Sequence, residues 1–414
     1  MGKYGLLGEK LGHSYSPEIH ALLKGYEYKL YEVPKEDVGR FLKETDLSGM
    51  NVTIPYKKTV MDYCVSLSDI TKRMGAVNTL VKEKDGWHGY NTDYYGFSEL
   101  VNVSGIEVRG KKTLVFGSGG ASNTVCRVLE DKGASEIRVI SRTGEDNYGN
   151  LHKHKDARIL VNTTPVGMYP KNGEAAFKVS DFPLCEGVFD VIYNPARTKV
   201  MMEAEELDVP CAGGLYMLTA QAKRSAELFT GSAIDDALIG SITKKLENDM
   251  QNIILIGMPG SGKSAIGRAL SRMTGRRLIE IDAEIEKTAG KDIPSIFAES
   301  GEEGFRKIET EVMRELCRLS GCVISTGGGC VTRQENYPLL HQNGRIFWIR
   351  RDLKLLAKKG RPISLKTPAE QIYADRKDKY EAFADVVIDN DSTVNAAAEK
   401  ILDELKSIHG GKIS

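Results

Sequence analysis

The sequence predicts an α/β protein built on doubly wound parallel sheets, and three observations predict it. Short apolar runs alternate with helix-length segments along the 414 residues. Two glycine-rich turns, GSGGAS at 117–122 and GMPGSGKS at 257–264, each lie between a strand-like run and an amphipathic segment. The length exceeds what one hydrophobic core ordinarily serves, so two or three domains are expected.

Residues 1–100 mix the apolar runs YGLLG and NTLVKE with a helical pattern, SPEIHALLKGY, in which Ser16 is placed to cap and Pro17 to take the first helical position. This region reads as an α/β domain of its own. Between 101 and 214 the runs TLVFG, EIRVIS, RILVNTT and GVFDVIY read as strands of a parallel, Rossmann-like sheet. The segment GEDNYGNLHKHKDA after the second run is short and rich in Gly and Asn, so the helix due there is expected to be trimmed. Residues 215–247 have helical spacing, with Ala222, Ala226, Leu238 and Ile242 on the buried side, and are expected to complete the first domain. A linker of only a few residues then leads to 252–414, where NIILIG, RLIEID, CVISTGG, RIFWIR and DVVID alternate with helices. That is the pattern of a third domain with a parallel sheet covered on both faces.

Composition excludes several classes. Charge balances at 57 Lys+Arg against 57 Asp+Glu, so no global field exists to hold a polyanion and no nucleic-acid partner is expected. Seven cysteines without C-x-x-C spacing read as free thiols in a reducing compartment. The N-terminus lacks an apolar leader core and no run of 18 apolar residues occurs, so no membrane partner is expected and the reading is a cytoplasmic protein. Whether the chain forms a homodimer stays open. His152 and His154 read as a solvated basic turn rather than a metal site, and Trp87 and Trp348 as packing residues. Cys330 lacks an activating base and is not read as a nucleophile.

In the first glycine-rich loop, Gly117 and Gly119 allow a tight turn and close approach of a pyrophosphate at a helix N-terminus near Ala121, with Ser122 where a third glycine is usual. About 20 residues on, where an NAD site places an acid, stand Arg142 and Thr143. A guanidinium and a hydroxyl there suit a 2′-phosphate, which favours NADP over NAD. The competing reading is a solvated arginine at a strand end, with Glu145 and Asp146 close by. Upstream, Ser14 and Ser16 offer two hydroxyls to one carboxylate. Lys57 and Asp93 can act together, the lysine protonating a carbonyl oxygen as hydride arrives and the aspartate holding the lysine and a substrate hydroxyl.

The ordered motifs HSYSP, NVTIPYK, GAVNTL, NTDYYGF, GSGGAS, SRT, NTTPVGM, DVIYNPART and GLYMLTAQA resemble those of the shikimate dehydrogenases. The resemblance implies a catalytic pair at Lys57 and Asp93, and substrate contacts from Ser14, Ser16, Asn51, Thr53, Asn78, Tyr193 and Gln221. It implies NADP(H) contacts from Gly117, Ser118, Gly119, Gly120, Ala121 and Ser122, from Arg142 and Thr143, and from Thr163, Met168, Ile192 and Gly214. The family often has NRT and a further basic residue where this chain has Ser141 and then Gly144, Glu145 and Asp146. That departure bears on the strength of NADP selection and leaves catalysis untouched.

In the second loop, Gly257, Gly260 and Gly262 with Ser261 turn backbone N–H groups toward phosphate oxygens, Lys263 reaches the β/γ-phosphates and Ser264 offers a hydroxyl to Mg²⁺. Glu280 and Asp282, two apart in RLIEID, are expected on one strand face, able to orient an attacking hydroxyl or hold a metal's water shell. Arg306 and Arg376 are suited to clamping a carboxylate. Residues 327–329 give a backbone approach without side chains, and Arg361 in GRPI would lie on a lid.

These segments, with GEEGFRKIE, STGGG and RKDKY, resemble shikimate kinase over 252–408. By that resemblance Asp282, Arg306, Gly328 and Arg376 contact shikimate, Asp282 helps activate its 3-hydroxyl, and Lys263, Ser264 and Arg361 handle ATP and Mg²⁺. Glu280 stands where the family usually has Asp, and the basic residue sometimes found before the last helix is missing from DNDSTVNAAA. Together the two resemblances imply reduction of 3-dehydroshikimate to shikimate and then its phosphorylation. The alternatives are a quinate/shikimate dehydrogenase using NAD, or one half serving as a non-catalytic ligand-binding or regulatory module.

Overall fold

Sixteen strands form three sheets among the residues described by the computed structural model, which are 2–12, 14–356 and 368–407. The first sheet takes β1 (Tyr4–Gly8), β2 (Tyr28–Glu32), β3 (Gly49–Val52), β4 (Cys64–Leu67), β5 (Thr79–Glu83) and β6 (Gly86–Tyr90) in the order β2-β1-β3-β5-β6-β4. It is mixed: β1 runs parallel to β2 and β3, while β5 is antiparallel to β3 and β6. The second is all parallel, with β7 (Lys112–Phe116), β8 (Glu136–Ile140), β9 (Ile159–Asn162), β10 (Gly187–Asp190) and β11 (Cys211–Gly213) in the order β11-β10-β9-β7-β8. The third, also parallel, orders β12 (Asn252–Ile256), β13 (Leu278–Glu280), β14 (Val323–Ser325), β15 (Gly344–Arg350) and β16 (Val386–Asp389) as β13-β14-β12-β15-β16.

The doubly wound prediction therefore holds. Its physical basis is clearest in the third sheet, where alternate residues of each strand enter different cores. Ile254, Ile256, Ile324, Ile346 and Trp348 pack in one, and Ile253, Leu255, Val323, Phe347 and Ile349 in the other. A strand buried on both faces must be apolar throughout.

The described chain forms two compact units. One comprises Met1–Val166, Ala175–Tyr193 and Glu203–Lys245, the other Gly167–Glu174, Asn194–Met202 and Leu246–Ser414. The two short segments belong to the second unit through hydrogen bonds from Asn172 Nδ2 to Gln342 Oε1 and from the Ala196 N–H to Asn343 Oδ1, both at 2.8 Å. The helix Ala237–Met250 carries the chain from one unit into the other, and Gln251 alone separates it from β12. No helix among the described residues is long and apolar enough to cross a membrane.

Several local expectations are corrected. Ser16 is the first residue of the helix Ser16–Lys24 and not its cap; Tyr15 holds that position, and Ser14 Oγ accepts from the Ser16 N–H at 3.3 Å. Leu238 is only half-buried, because the helix turns Ile239 into the core instead. Strand β13 ends at Glu280 and Asp282 falls in the first turn of the helix Ile281–Ala289, so the two carboxylates do not share a strand face. An acid in that turn is favoured by the helix dipole. The trimmed connection after β8 is present as a single 3-10 turn, Leu151–His154. His154 there is buried rather than solvated, its Nε2 held 2.8 Å from Asp146 Oδ1.

The helical stretch Ile293–Leu316 is broken at Gly301, where φ 67° and ψ −172° place the backbone in a region open essentially to glycine alone. The break starts a new helical segment, which carries Arg306. We expect Gly301→Ala to cost about 1–3 kcal/mol, measurable as earlier thermal unfolding of the second unit with the first unchanged.

Candidate active sites

In the first unit, the turn after β3 delivers Lys57 and the start of the helix Asp93–Ser104 delivers Asp93. Lys57 Nζ donates to Asp93 Oδ2 at 2.6 Å, with both side chains partly exposed. A charge-assisted contact this short keeps the ammonium oriented while leaving one face open to a ligand.

Behind the pair lies a buried polar network. Asn51 Nδ2 donates to Thr79 Oγ1 at 3.0 Å and to Ser225 Oγ at 2.8 Å, and Tyr28 donates its hydroxyl proton to Asn51 Oδ1 at 2.7 Å. Asn78 Oδ1 accepts from the Thr92 N–H at 2.7 Å, and Thr92 Oγ1 donates to Gln221 Oε1 at 3.3 Å. Ser225 links these residues: it lies 2.9 Å from Thr79 Oγ1 and 3.0 Å from Thr92 Oγ1, and donates to the Gln221 carbonyl at 3.0 Å. His20 stacks on Tyr28 with ring centroids 4.0 Å apart, and burial drives its pKa down to about 3, so it is neutral packing for the network. Tyr193, after β10, meets Tyr15 edge-on at 6.1 Å, which brings it beside Ser14 and Ser16. Thr53 follows β3, and its N–H is tied to the Leu7 carbonyl at 3.0 Å. Ser225 was not among the sequence candidates, although it stands one helical turn from Gln221, and that spacing is the signal that could have found it.

At the carboxyl ends of the second sheet, β7 and β9 flank the point where the strand order reverses, the position at which such sheets bind ligands. Gly117 has φ 111°, and a Cβ there would lie 2.6 Å from Thr163 Oγ1. Ser118, Gly119 and Gly120 are exposed, and Cβ atoms built on the two glycines would face open space. The helix Gly120–Asp131 therefore presents its first N–H groups to a ligand phosphate, with Ala121 and the buried Ser122 in its first turn. Ile192 and Gly214 lie nearby after β10 and β11, the Gly214 N–H bonded to the Ile192 carbonyl at 2.9 Å. Arg142 and Thr143 follow β8 and are exposed. Asp146 is engaged by His154 and by Arg138 at 3.7 Å, so its charge is answered by other groups. Met168 belongs to the segment Gly167–Glu174 of the second unit rather than to the unit that holds this sheet.

In the second unit, Gly257, Gly260 and Gly262 all have positive φ, at 141°, 89° and 100°. Lys263 opens the helix Lys263–Thr274, and its Nζ donates to the Gly257 and Met258 carbonyls at 2.8 and 3.1 Å. Ser264 is half-buried in the first helical turn, and Ser261 is fully buried with its carbonyl held by Asn390 Nδ2 at 2.7 Å. The loop and helix start thus fit a nucleotide phosphate and its cation. Glu280 is turned toward Arg268 at 3.2 Å.

The second group of residues converges on Gly327, Gly328 and Gly329. A Cβ at Gly327 would lie 2.9 Å from Asp282 Oδ1 and 2.6 Å from Glu309 Oε1, and one at Gly329 would lie 1.8 Å from Arg306 Nη2. The Gly328 carbonyl accepts from Arg376 Nη1 at 3.0 Å and from the Tyr380 hydroxyl. Arg306 pairs with the buried Glu309 at 2.6 Å, yet Arg306 Nε and Glu309 Oε1 are buried without hydrogen-bond partners among the described residues. Burial pushes the Glu309 carboxyl above the usual range, with Arg306 opposing the shift. Two unpartnered polar atoms in one buried pair leave bonding capacity that a polar ligand can satisfy. Glu309 and Tyr380 were missed in the sequence, though they stand three and four residues beyond Arg306 and Arg376 on helices. Cys330 is buried and its thiol is pushed up to about 12 by burial, in keeping with an unreactive residue. No disulfide joins any of the seven cysteines among the described residues. Arg361 lies outside the described residues.

Residues 6–80 match the family model for the shikimate dehydrogenase substrate binding domain, and residues 259–406 match that for shikimate kinase. Over 267 residues the chain is 36% identical to a shikimate dehydrogenase (NADP(+)) of Clostridium beijerinckii, a match covering 60% of this chain and 99% of that protein. A solved chorismate mutase/shikimate 5-dehydrogenase fusion protein from Clostridium acetobutylicum is 37% identical with a TM-score of 0.56, covering 59% of this chain and 97% of that one. Shikimate 5-dehydrogenase from Thermus thermophilus, solved in complex with NADP(H) and shikimate, is 30% identical with a TM-score of 0.54, covering 59% of this chain and 99% of that one.

We expect Ser225→Ala to leave Asn51, Thr79 and Thr92 short of a shared partner and to cost about 1–3 kcal/mol. Denaturant unfolding of the variant beside the parent checks this, and an unchanged midpoint would remove Ser225 from the network's support.

Proposed function

We propose, on the premise that this chain belongs to the shikimate dehydrogenase family and carries a shikimate kinase domain at 259–406, that it performs two successive reactions. The first is NADPH-dependent reduction of 3-dehydroshikimate to shikimate, the second ATP-dependent phosphorylation of shikimate to shikimate 3-phosphate. The observation that carries the reading is that one chain holds both the Lys57–Asp93 pair and, beside a phosphate loop, an arginine-lined glycine turn against which the Asp282 carboxylate lies. In this reading residues 1–100 with about 215–247 bind the first substrate, 101–214 bind the dinucleotide and 252–414 form the kinase domain.

When bound, NADPH supplies the hydride, and Mg²⁺·ATP supplies the phosphoryl group with part of its charge neutralised. The residues of this chain do the rest. Lys57 Nζ gives a proton to the carbonyl oxygen as the carbon is reduced, and Asp93 holds both the ammonium and a substrate hydroxyl. Ser14 and Ser16 hold the substrate carboxylate, assisted by Tyr193, with Thr53, Asn51, Asn78 and Gln221 fixing the ring. In the kinase domain Arg306 and Arg376 clamp the carboxylate of shikimate against Gly328. Asp282 would take the proton from the attacking hydroxyl, Lys263 would hold the β/γ-phosphates in exchange for its loop carbonyls, and Ser264 would support the cation, with Glu280 joining it on release from Arg268.

Incubation with 3-dehydroshikimate, NADPH, ATP and Mg²⁺, with products followed by mass spectrometry, tests the whole. The expected course is shikimate 3-phosphate appearing through shikimate. Shikimate accumulating alone would defeat the kinase assignment, and unconsumed 3-dehydroshikimate would defeat the dehydrogenase assignment.

Lys57→Ala should lower reduction about 10²–10⁴-fold and leave phosphorylation of added shikimate near that of the parent. Lys263→Ala should lower only phosphorylation, by about 10²–10³-fold. Loss of both activities in either variant would contradict independent sites. For the cofactor, Arg142→Ala should raise the KM for NADPH about 10–100-fold, the worth of a charge-assisted hydrogen bond, with the KM for NADH little changed. Equal effects on both cofactors would place Arg142 away from the 2′-phosphate.

A further inference from the structure

Arg350 closes β15 and Arg351 follows it, and the two arginines are treated differently. Arg350 is held by Asp389 through two hydrogen bonds, Nε to Oδ1 at 2.6 Å and Nη2 to Oδ2 at 3.0 Å. Arg351 instead brings its guanidinium to the phosphate loop, where a Cβ built on Gly262 would lie 3.9 Å from Arg351 Nη1. Its Nε is shielded from solvent and has no hydrogen-bond partner among the described residues. No carboxylate pairs with it among the described residues, and the residues outside that set include no Asp or Glu.

A guanidinium donor withdrawn from water without an acceptor is unfavourable, and a site that tolerates one commonly receives its acceptor from a ligand. The surroundings name the ligand's chemistry. Gly262 immediately precedes Lys263, and its left-handed backbone turns loop N–H groups toward an anion. From β16, Asn390 reaches the same loop and bonds the Ser261 carbonyl. The stretch DNDSTVNAAA, which follows that strand, carries no basic side chain. Arg351 is therefore a cation standing at this edge of the loop where the β16 side offers none.

We propose that Arg351 is a nucleotide-binding residue, its guanidinium donating to a phosphate oxygen of the nucleotide held by residues 257–264. The inference rests on the reading of that loop as the ATP site. A planar fork suits a phosphate bidentately, which a lysine ammonium does not reproduce.

The test is titration calorimetry of Mg²⁺·ADP into the full chain without shikimate, for the parent, Arg351→Ala, Arg351→Gln and Arg351→Lys. Removing the charge should weaken ADP binding about 10–100-fold, with the lysine variant intermediate. In turnover, the KM for ATP should rise by a similar factor while that for shikimate stays within about twofold of the parent. ADP affinities of the alanine and glutamine variants within about twofold of the parent would overturn the proposal and leave the ATP site standing. A parent chain that binds no Mg²⁺·ADP would overturn both. Should Arg351→Ala fail to fold, as judged by near-ultraviolet circular dichroism, the glutamine and lysine variants decide the matter by the same comparison.

Discussion

A Cβ on Gly257 would lie 2.4 Å from the Ile349 carbonyl oxygen, and one on Gly117 would lie 2.6 Å from Thr163 Oγ1. Both glycines leave the carboxyl end of a central parallel strand, where the chain must turn at once against its neighbour's backbone. The sites depend on this close approach, because it brings the loops within reach of groups from adjacent strands. The positive φ at both positions makes glycine the residue that can take the turn without strain. Residues 327–329 repeat the device after β14, where three successive glycines let the backbone lie against Asp282, Pro259 and Arg306 at once.

The two units then prepare their sites in different ways. In the first, donors and acceptors are largely matched before any ligand arrives. Asn51, Asn78, Thr79, Thr92 and Ser225 saturate one another, and the Lys57–Asp93 pair stands at the edge of that matched interior. A network of this kind holds its members in one geometry, since any displacement strands a buried polar group. In the second unit the buried polar groups are left incomplete. Among the described residues Arg306, Glu309 and Arg351 each keep an unpartnered atom shielded from water, and Lys263 Nζ donates to its own loop's carbonyls. The first arrangement keeps a preset geometry beside the Lys57–Asp93 pair. The second stores bonding capacity for strongly charged ligands, which repay desolvation through charge-assisted hydrogen bonds.

Much of this was legible from local pattern. The strand, glycine turn and helix around 117 and 257 involve neighbours in sequence, so periodicity and turn chemistry were enough to find them. The Lys57–Asp93 contact was legible for another reason: a lysine and an aspartate together can protonate a carbonyl oxygen, and both residues stand in motifs that resemble one enzyme family's. Failures fell where strand and helix meet. Period-two reasoning put Glu280 and Asp282 on one face, but the extended backbone stops at Glu280 and the helix begins with the next residue. Likewise Leu238 and Ile239 are both apolar, and only the docking of their helix selects which is buried.

By itself, then, the sequence determined the alternation of elements, the phosphate-binding loops and the kinds of side chain available for chemistry. These follow from backbone geometry and residue type within a few positions. Tertiary structure decided the partnerships: Ser225 with Asn51 across 174 positions, Arg376 with Gly328 across 48, and Arg351 with a loop from another strand. It also decided which charges are answered, giving Asp146 to His154 and Arg138. No local period encodes such choices, because a buried hydrogen bond or ion pair depends on which groups the packed sheets and helices bring within about 3 Å and shield from water.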